Sequence, residues 1–331
     1  MRQEIFSRAP VRICDVGGWT DTHFYKGGAV FNISINLYSY IRVKENKKQE
    51  VRIISENLKT EEKFQIDAIK YNGKLDLLKA ALVRMNINQG LDIFARADVP
   101  PGCGTGTSAS IAVALIAALS RLKNQSLVNF EIADLAHILE TKELGLESGL
   151  QDQYAAAYGG INFMKINYPK VKISPVNLNE SRILELESQL FLVHLSSRSS
   201  SKIHQSVIEK VNKNEKATLH ALDRMKNCAL KMKRIIHSGT MNQIGKVLNN
   251  NWEAQKALHP LMTNTTIERL EEIAFSNGAI GLKCNGAGGG GSFTILADKG
   301  KEYHLKETLI KKGYNLLPFK LDFDGVQTWS S

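Results

Sequence analysis

The chain has 331 residues, enough for two domains with separate apolar interiors. Its content, 43% hydrophobic and 23% charged, is that of an ordinary globular protein, and its longest apolar run, residues 111–119, is far short of the roughly 20 residues that cross a bilayer, so no membrane role is expected. A formal net charge of +10 suits nucleic acid, an anionic surface or anionic small substrates, but the lysines are mixed with Glu and Asn and no interleaved aromatics accompany them, so they read as solvated faces and nucleic acid is not an expected partner. Four scattered cysteines without a CxxC pair, and no signal-like apolar stretch in residues 1–8, predict a reducing cytoplasmic setting with neither a disulfide framework nor a structural zinc.

Residues 9–51 read as extended structure broken by glycines: a strand at 11–16, a turn at Gly17-Gly18, then 29–43, rich in β-branched and aromatic residues. Short strands are predicted at 51–54 and 63–66, a helix at 75–85 and an alternating strand at 90–97. A small-residue helix follows at 108–122. A second spans 129–144, with Asn129 as its cap and Ile132, Leu135, Ala136 and Leu139 at the helical period. Gly159-Gly160 is a turn into a strand at 161–166, and Pro169 and Pro175 mark loop or edge strand. Beyond lie a buried strand at 189–195, long helices at 201–237 and 242–258, a helix at 265–276, a strand at 279–283, a glycine run, a strand at 292–297, a helix at 306–312 and a terminal strand at 316–323. The expected division is an α+β domain at 1–175 and a second at 176–331, with no internal repeat.

Four segments carry candidate chemistry. In Pro101-Gly102-Cys103-Gly104-Thr105-Gly106-Thr107-Ser108-Ala109-Ser110, glycines and hydroxyls crowd just ahead of an apolar helix, so amide groups and the positive end of the helix dipole can converge on a polyphosphate. Gly286-Ala287-Gly288-Gly289-Gly290-Gly291 contains GxGxxG but leads into a strand, which fails the dinucleotide fingerprint, and no GxxxxGK[ST] occurs. Two such clusters in two domains suggest a ligand held between them. Arg8-Ala9-Pro10-Val11-Arg12 followed by Gly17-Gly18-Trp19-Thr20-Asp21 brackets a tight turn with two arginines and the acids Asp15 and Asp21. In the fourth, Glu147 to Tyr154, Asp152 with Glu140 offers one carboxylate for a metal and one for a proton. Taken singly, each also has a plain reading as a capped turn, a hairpin link or an ion pair.

Together, in this order and spacing, the four segments resemble the GHMP kinase superfamily over nearly the whole chain. Gly17-Gly18-Trp19-Thr20-Asp21, residues 149–160 and the Trp252–Lys256 segment resemble most the sugar anomeric kinases, which act on D-glycero-D-manno-heptose 7-phosphate and on L-fucose. The resemblance implies an α+β, two-domain fold with a ribosomal S5-like N-terminal domain, a ferredoxin-like C-terminal domain and an active site in the cleft between them. It implies Asp152 as catalytic base and Arg12 as the cation that keeps it ionised, with ATP bound along residues 101–110 and Mg²⁺ on Ser108 and Glu140. Asp21 with Gly18, Trp19 and Thr20 would contact the sugar, and Gly288, Gly289 and Gly290 would close over the reacting groups. Two departures stand out: Thr105 where the family has an apolar residue, and Trp19 where heptose kinases have glycine.

Residues 195–202 read as a hydroxyl-rich loop whose Arg198 suits a sugar phosphate, or as a capped helix start with solvated charges. The histidines at 194, 204 and 259 lack metal-ligand spacing. The expected activity is phosphorylation of the anomeric hydroxyl of heptose 7-phosphate; the alternatives are an L-fucose or other free-sugar 1-kinase and a non-catalytic sugar or ATP sensor. The partners expected are ATP and a small sugar or sugar phosphate, with no nucleic acid and no membrane, in a monomer or homodimer.

Overall fold

The computed structural model describes residues 4–196 and 201–331. Its first sheet is built on two long antiparallel strands, β1 (Glu4–Val16) and β2 (Gly28–Glu45), joined across the Gly17–Thr20 turn. β2 is long enough to serve two neighbours: residues 28–33 pair with β6 (Ile161–Asn167) and residues 39–45 with β5 (Leu91–Ala97). β3 (Glu50–Ser55) joins β5 in parallel, and β4 (Thr60–Gln65) and β7 (Lys170–Pro175) close the edges. Over one face lie α1 (Asp76–Arg84), α2 (Thr107–Leu122), α3 (Asn129–Ile138) and α4 (Gln151–Tyr158). α2 is all but wholly apolar along residues 111–119, as a helix covered on every side must be.

The second half supplies α5 (Glu180–Gln189), β8 (Leu190–Ser196), α6 (Ser201–Asn212), α7 (Lys216–Ile235), α8 (Met241–Lys256), α9 (Thr265–Ser276), β9 (Ala279–Cys284), β10 (Gly291–Ala297), α10 (Glu302–Lys311), β11 (Asn315–Leu317) and β12 (Gln327–Ser330). Its sheet is antiparallel, in the order β11-β8-β10-β9. β12 leaves it and pairs with β1, so the chain's end returns to the first sheet. Between the sheets α7 and α8 share a continuous apolar layer with β1, β2, β6, β8 and β10, in which Phe31, Phe163, Met232 and Leu248 are buried.

Several expectations need correction. The helix expected at 201–237 is two, α6 and α7, broken at residues 213–215, where Asn214 takes a left-handed conformation (φ 54°) that ends the first. Asn129 is the first residue of α3 rather than its cap; Val128 precedes it, and the Glu131 carboxylate accepts from the Val128 amide at 2.9 Å. The helix expected to run to 144 changes to a π turn at Leu139–Glu143. The terminal strand is β12 rather than 316–323, of which only Leu316 and Leu317 pair, within β11, and Leu321 makes a single bridge to Ile35. α5, unforeseen, is announced by Asn179, whose side chain accepts from the Arg182 amide.

Candidate active site

β1 carries Arg12 into a junction where four segments meet. Arg12 Nε donates to Asp152 Oδ1 at 2.8 Å and its Nη2 to Asp152 Oδ2 at 3.1 Å, a two-pronged ion pair between residues 140 positions apart. Its Nη1 donates to the Gly104 carbonyl at 2.5 Å, and its amide to the Thr105 carbonyl at 3.0 Å, so the same arginine ties the glycine-rich loop to the acid. Burial alone would depress the guanidinium, but Asp152, Asp15 and Asp21 outweigh it and hold it more basic than an ordinary arginine. Arg12 is 3% exposed, whereas the Asp152 side chain is 28% exposed and open to a reactant.

Gly106 explains the loop's approach. Its φ is 77°, and a Cβ there would lie 3.0 Å from Asp152 Cγ, so any side chain would press on the acid. Gly106 precedes α2 with no side-chain cap, which leaves the first helical amides open for an anion, as a phosphate site requires. Of the residues expected to bind ATP, Pro101, Gly102 and Ser108 are exposed and Gly104, Gly106 and Thr107 half-buried around this opening. Cys103, Thr105, Ala109 and Ser110 are buried, and the Ser110 hydroxyl donates to the Ala9 carbonyl at 2.7 Å, fastening α2 to β1.

Glu140 lies in the π turn after α3, 7% exposed, and its Oε2 accepts from Ser148 Oγ (2.5 Å) and Gln153 Nε2 (2.7 Å). Burial, joined by the repulsion of Asp152 and opposed by those two hydrogen bonds, pushes this carboxyl up to about 7. Its Oε1 has no hydrogen bond among the described residues, so an unbonded oxygen of this largely buried carboxylate and the exposed Ser108 hydroxyl fit a hard cation that takes its remaining oxygens from phosphate and water. No group of three or more His, Cys, Asp or Glu suited to a metal occurs among the described residues, so protein ligands alone would not complete such a site.

Asp21 is 2% exposed and accepts from the Gln151 amide at 3.1 Å, the first residue of α4, so it caps from a distance the helix that carries Asp152. Gly149 makes room for it: a Cβ there would fall 2.0 Å from Asp21 Oδ2. Desolvation raises the Asp21 carboxyl to about 6 against the Gln151 bond that lowers it. Thr20 is fully buried, its hydroxyl shared between the Gly17 and Ala29 carbonyls, so its polar atoms serve the turn. Trp19 is buried at φ 74° with its ring 4.6 Å from that of His204. Arg198 lies outside the described residues.

From the second sheet, the β9–β10 connection brings the other glycine run to the same junction. Every glycine in it has positive φ, and Gly289 donates to the Met262 carbonyl at 2.9 Å. The side-chain amides of Asn285, Asn251 and Gln255 tie this junction together: Asn285 and Asn251 bond across the two halves, and of the three Asn251 lay outside every motif read from the sequence. Asn285 Oδ1 accepts from the Cys14 amide (3.1 Å), Asn251 Oδ1 from the Gly17 amide (2.8 Å), and Gln255 Nε2 donates to the Gly286 carbonyl (2.8 Å). Buried amides at α8 positions 251 and 255, one helical turn apart beside Trp252, were the available signal.

Residues 74–160, which include the glycine-rich loop, Glu140 and Asp152, match the family model for the GHMP kinases N terminal domain. The D-glycero-alpha-D-manno-heptose 7-phosphate kinase of Campylobacter jejuni is 29% identical, with 98% of each chain covered. The match to the family model makes residues 74–160 a GHMP kinase N-terminal domain. With that domain and with kinase relatives along nearly its whole length, it is a phosphotransferase with a hydroxyl acceptor. The bifunctional fucokinase/GDP-fucose pyrophosphorylase of Arabidopsis thaliana is 28% identical over 91% of this chain and 30% of its own length. Two solved structures share the fold: a D-glycero-D-manno-heptose 1-phosphate kinase from Bacteriodes thetaiotaomicron (TM-score 0.81, 24% identity, 98% of each chain) and a Lactococcus lactis galactokinase (TM-score 0.77, 18% identity, 98% of this chain and 95% of that one). No helix among the described residues is long and apolar enough to cross a membrane.

Proposed function

We propose that this GHMP kinase is an ATP- and Mg²⁺-dependent sugar kinase that phosphorylates the anomeric hydroxyl of D-glycero-D-manno-heptose 7-phosphate. The observation that carries the chemistry is the Arg12–Asp152 pair lodged against Gly106 at the uncapped start of α2. Asp152 takes the proton of the attacking hydroxyl as that oxygen bonds to the γ-phosphorus and the bond to the departing ADP oxygen breaks. Arg12 aims the carboxylate by binding both its oxygens and offsets charge beside the loop. The amides of 102–107 and the first turn of α2 would hold the phosphates, and Ser108 and Glu140 would hold Mg²⁺, which when bound neutralises phosphate charge. The first half, residues 1–175, would supply the nucleotide site, and 176–331 would close over the acceptor with Gly288, Gly289 and Gly290, the cleft between them enclosing the reaction.

The heptose 7-phosphate assignment is supported by the full-length similarity to the Campylobacter kinase. In this reading Arg198 grips the substrate phosphate, so Arg198→Ala raises KM for the phosphorylated sugar far more than KM for ATP. Trp19 in the Gly17-Gly18-Trp19 turn favours L-fucose as a second candidate. Coupled ADP release across heptose 7-phosphate, free heptose, fucose, galactose and mannose, with and without Mg²⁺, decides among them. Turnover of heptose 7-phosphate above the rest is the expected result; ATP binding without turnover on any sugar would overturn the kinase reading.

A further inference from the structure

Arg12 faces two acids. Its Nη2 lies 3.7 Å from Asp15 Oδ2 as well as 3.1 Å from Asp152 Oδ2, and Asp15, 1% exposed, is shielded from bulk solvent. A buried carboxylate left alone beside a guanidinium would draw it into a close ion pair, at the expense of the more exposed Asp152. The structure prevents this by giving Asp15 other partners. Lys283, itself fully buried on β9, donates to Asp15 Oδ1 at 2.7 Å, and the Gly286 amide donates to Oδ2 at 2.9 Å. A second Lys283 proton goes to the Cys284 carbonyl at 2.6 Å, which fixes the ammonium in place. Arg12, Lys283, Asp15 and Asp152 thus form a formally neutral set in which Lys283 makes the close contact with Asp15 and Arg12 the close contact with Asp152.

We propose that Lys283 is a positioning residue: by occupying Asp15 it frees Arg12 to hold Asp152 in register with the glycine-rich loop. The inference rests on Asp152 as the base. It also ties the C-terminal glycine run to the reacting pair, because Gly286 and Lys283 grip the same carboxylate from the two ends of one segment. The second sheet therefore sets the aim of a base carried by the first.

The test is a crystal structure and steady-state kinetics of Lys283→Met alone and combined with Asp15→Asn. In Lys283→Met, Arg12 is expected to shift from Asp152 onto Asp15, with kcat falling on the order of 10²-fold and KM for ATP little changed. Adding Asp15→Asn removes the competing charge, returns Arg12 to Asp152 and recovers most of the lost kcat, which loss of packing alone does not. Lys283→Gln, which keeps a donor toward Asp15 but not the charge, carries the same expectation and guards against failure of the methionine variant to fold. An Arg12–Asp152 bond unchanged without the lysine charge, or a kcat deficit that Asp15→Asn leaves in place, overturns the proposal. A wild-type protein that turns over no sugar would sink the sugar-kinase reading instead, while the crystallographic arm still decides this one.

Discussion

Asp152 and Glu140 are close enough to repel, yet their surroundings suit them to different tasks. Asp152 keeps a cationic partner and an open face, whereas Glu140 is buried between two neutral donors. For Asp152→Asn, near-normal ATP binding and a kcat lower by about 10²–10⁴-fold are expected, checked by calorimetric titration and ADP release. Asp21 has a different signature. Its carboxyl titrates near 3.8 when unperturbed but is raised to about 6 in the fold, so between those values the folded protein holds more protons than the unfolded chain. That contribution to stability is complete below about 4, falls as pH rises toward 6, and is flat above. Asn keeps an oxygen for the Gln151 amide and cannot ionise, so Tm of Asp21→Asn should gain on wild type across that window and keep the gain at pH 7. Parallel Tm–pH curves for the two proteins would refute the assignment. The Arg12 and Asp152 motifs were visible in the sequence. Asp21's capping of α4 was not, because a cap drawn from 130 residues away leaves no local pattern.

α4 and α2 meet at their N-termini, where one supplies the acid and the other the open amides, and Gly106 sets their separation. Gly106→Ala meets two obstacles: a left-handed φ that costs a residue with a Cβ about 1–2 kcal/mol, and a methyl 3.0 Å from Asp152 Cγ. The variant should melt lower and lose up to about 10²-fold in kcat through misalignment of the proposed base, Asp152, a split read by calorimetry and kinetics. The long periodic helices were legible because burial of one face imposes a 3.6-residue repeat, as in α9, expected and found at 265–276. The π turn at Leu139–Glu143 was not. Its apolar positions keep the helical period up to Leu139, and the register shift that turns Glu140 inward is decided by Ser148 and Gln153, which belong to later segments.

Across the molecule, the two sheets are joined by side chains of α8 and β9 that reach the Gly17 turn and β1. Asn251→Ala leaves the buried Gly17 amide without its acceptor, so about 1–3 kcal/mol of stability should be lost. Because that turn leads to Asp21 and α4, kcat should fall as well, and a variant with lower Tm but wild-type kcat would show the turn to be uncoupled from the site. The sequence by itself determined that the chain is α+β and that it carries two glycine-rich loops, one ahead of a helix and one ahead of a strand, since these follow from local composition, period and motif, while the resemblance singled out Arg12, Asp152, Glu140 and Ser108 as candidates for phosphoryl transfer. Only the tertiary structure decided that the final strand returns to β1, that Asp21 and Thr20 serve backbone amides and carbonyls, and that Lys283 pairs with Asp15. Those are pairings between distant residues, where the desolvation of buried charge and the need to satisfy every buried amide choose the partners.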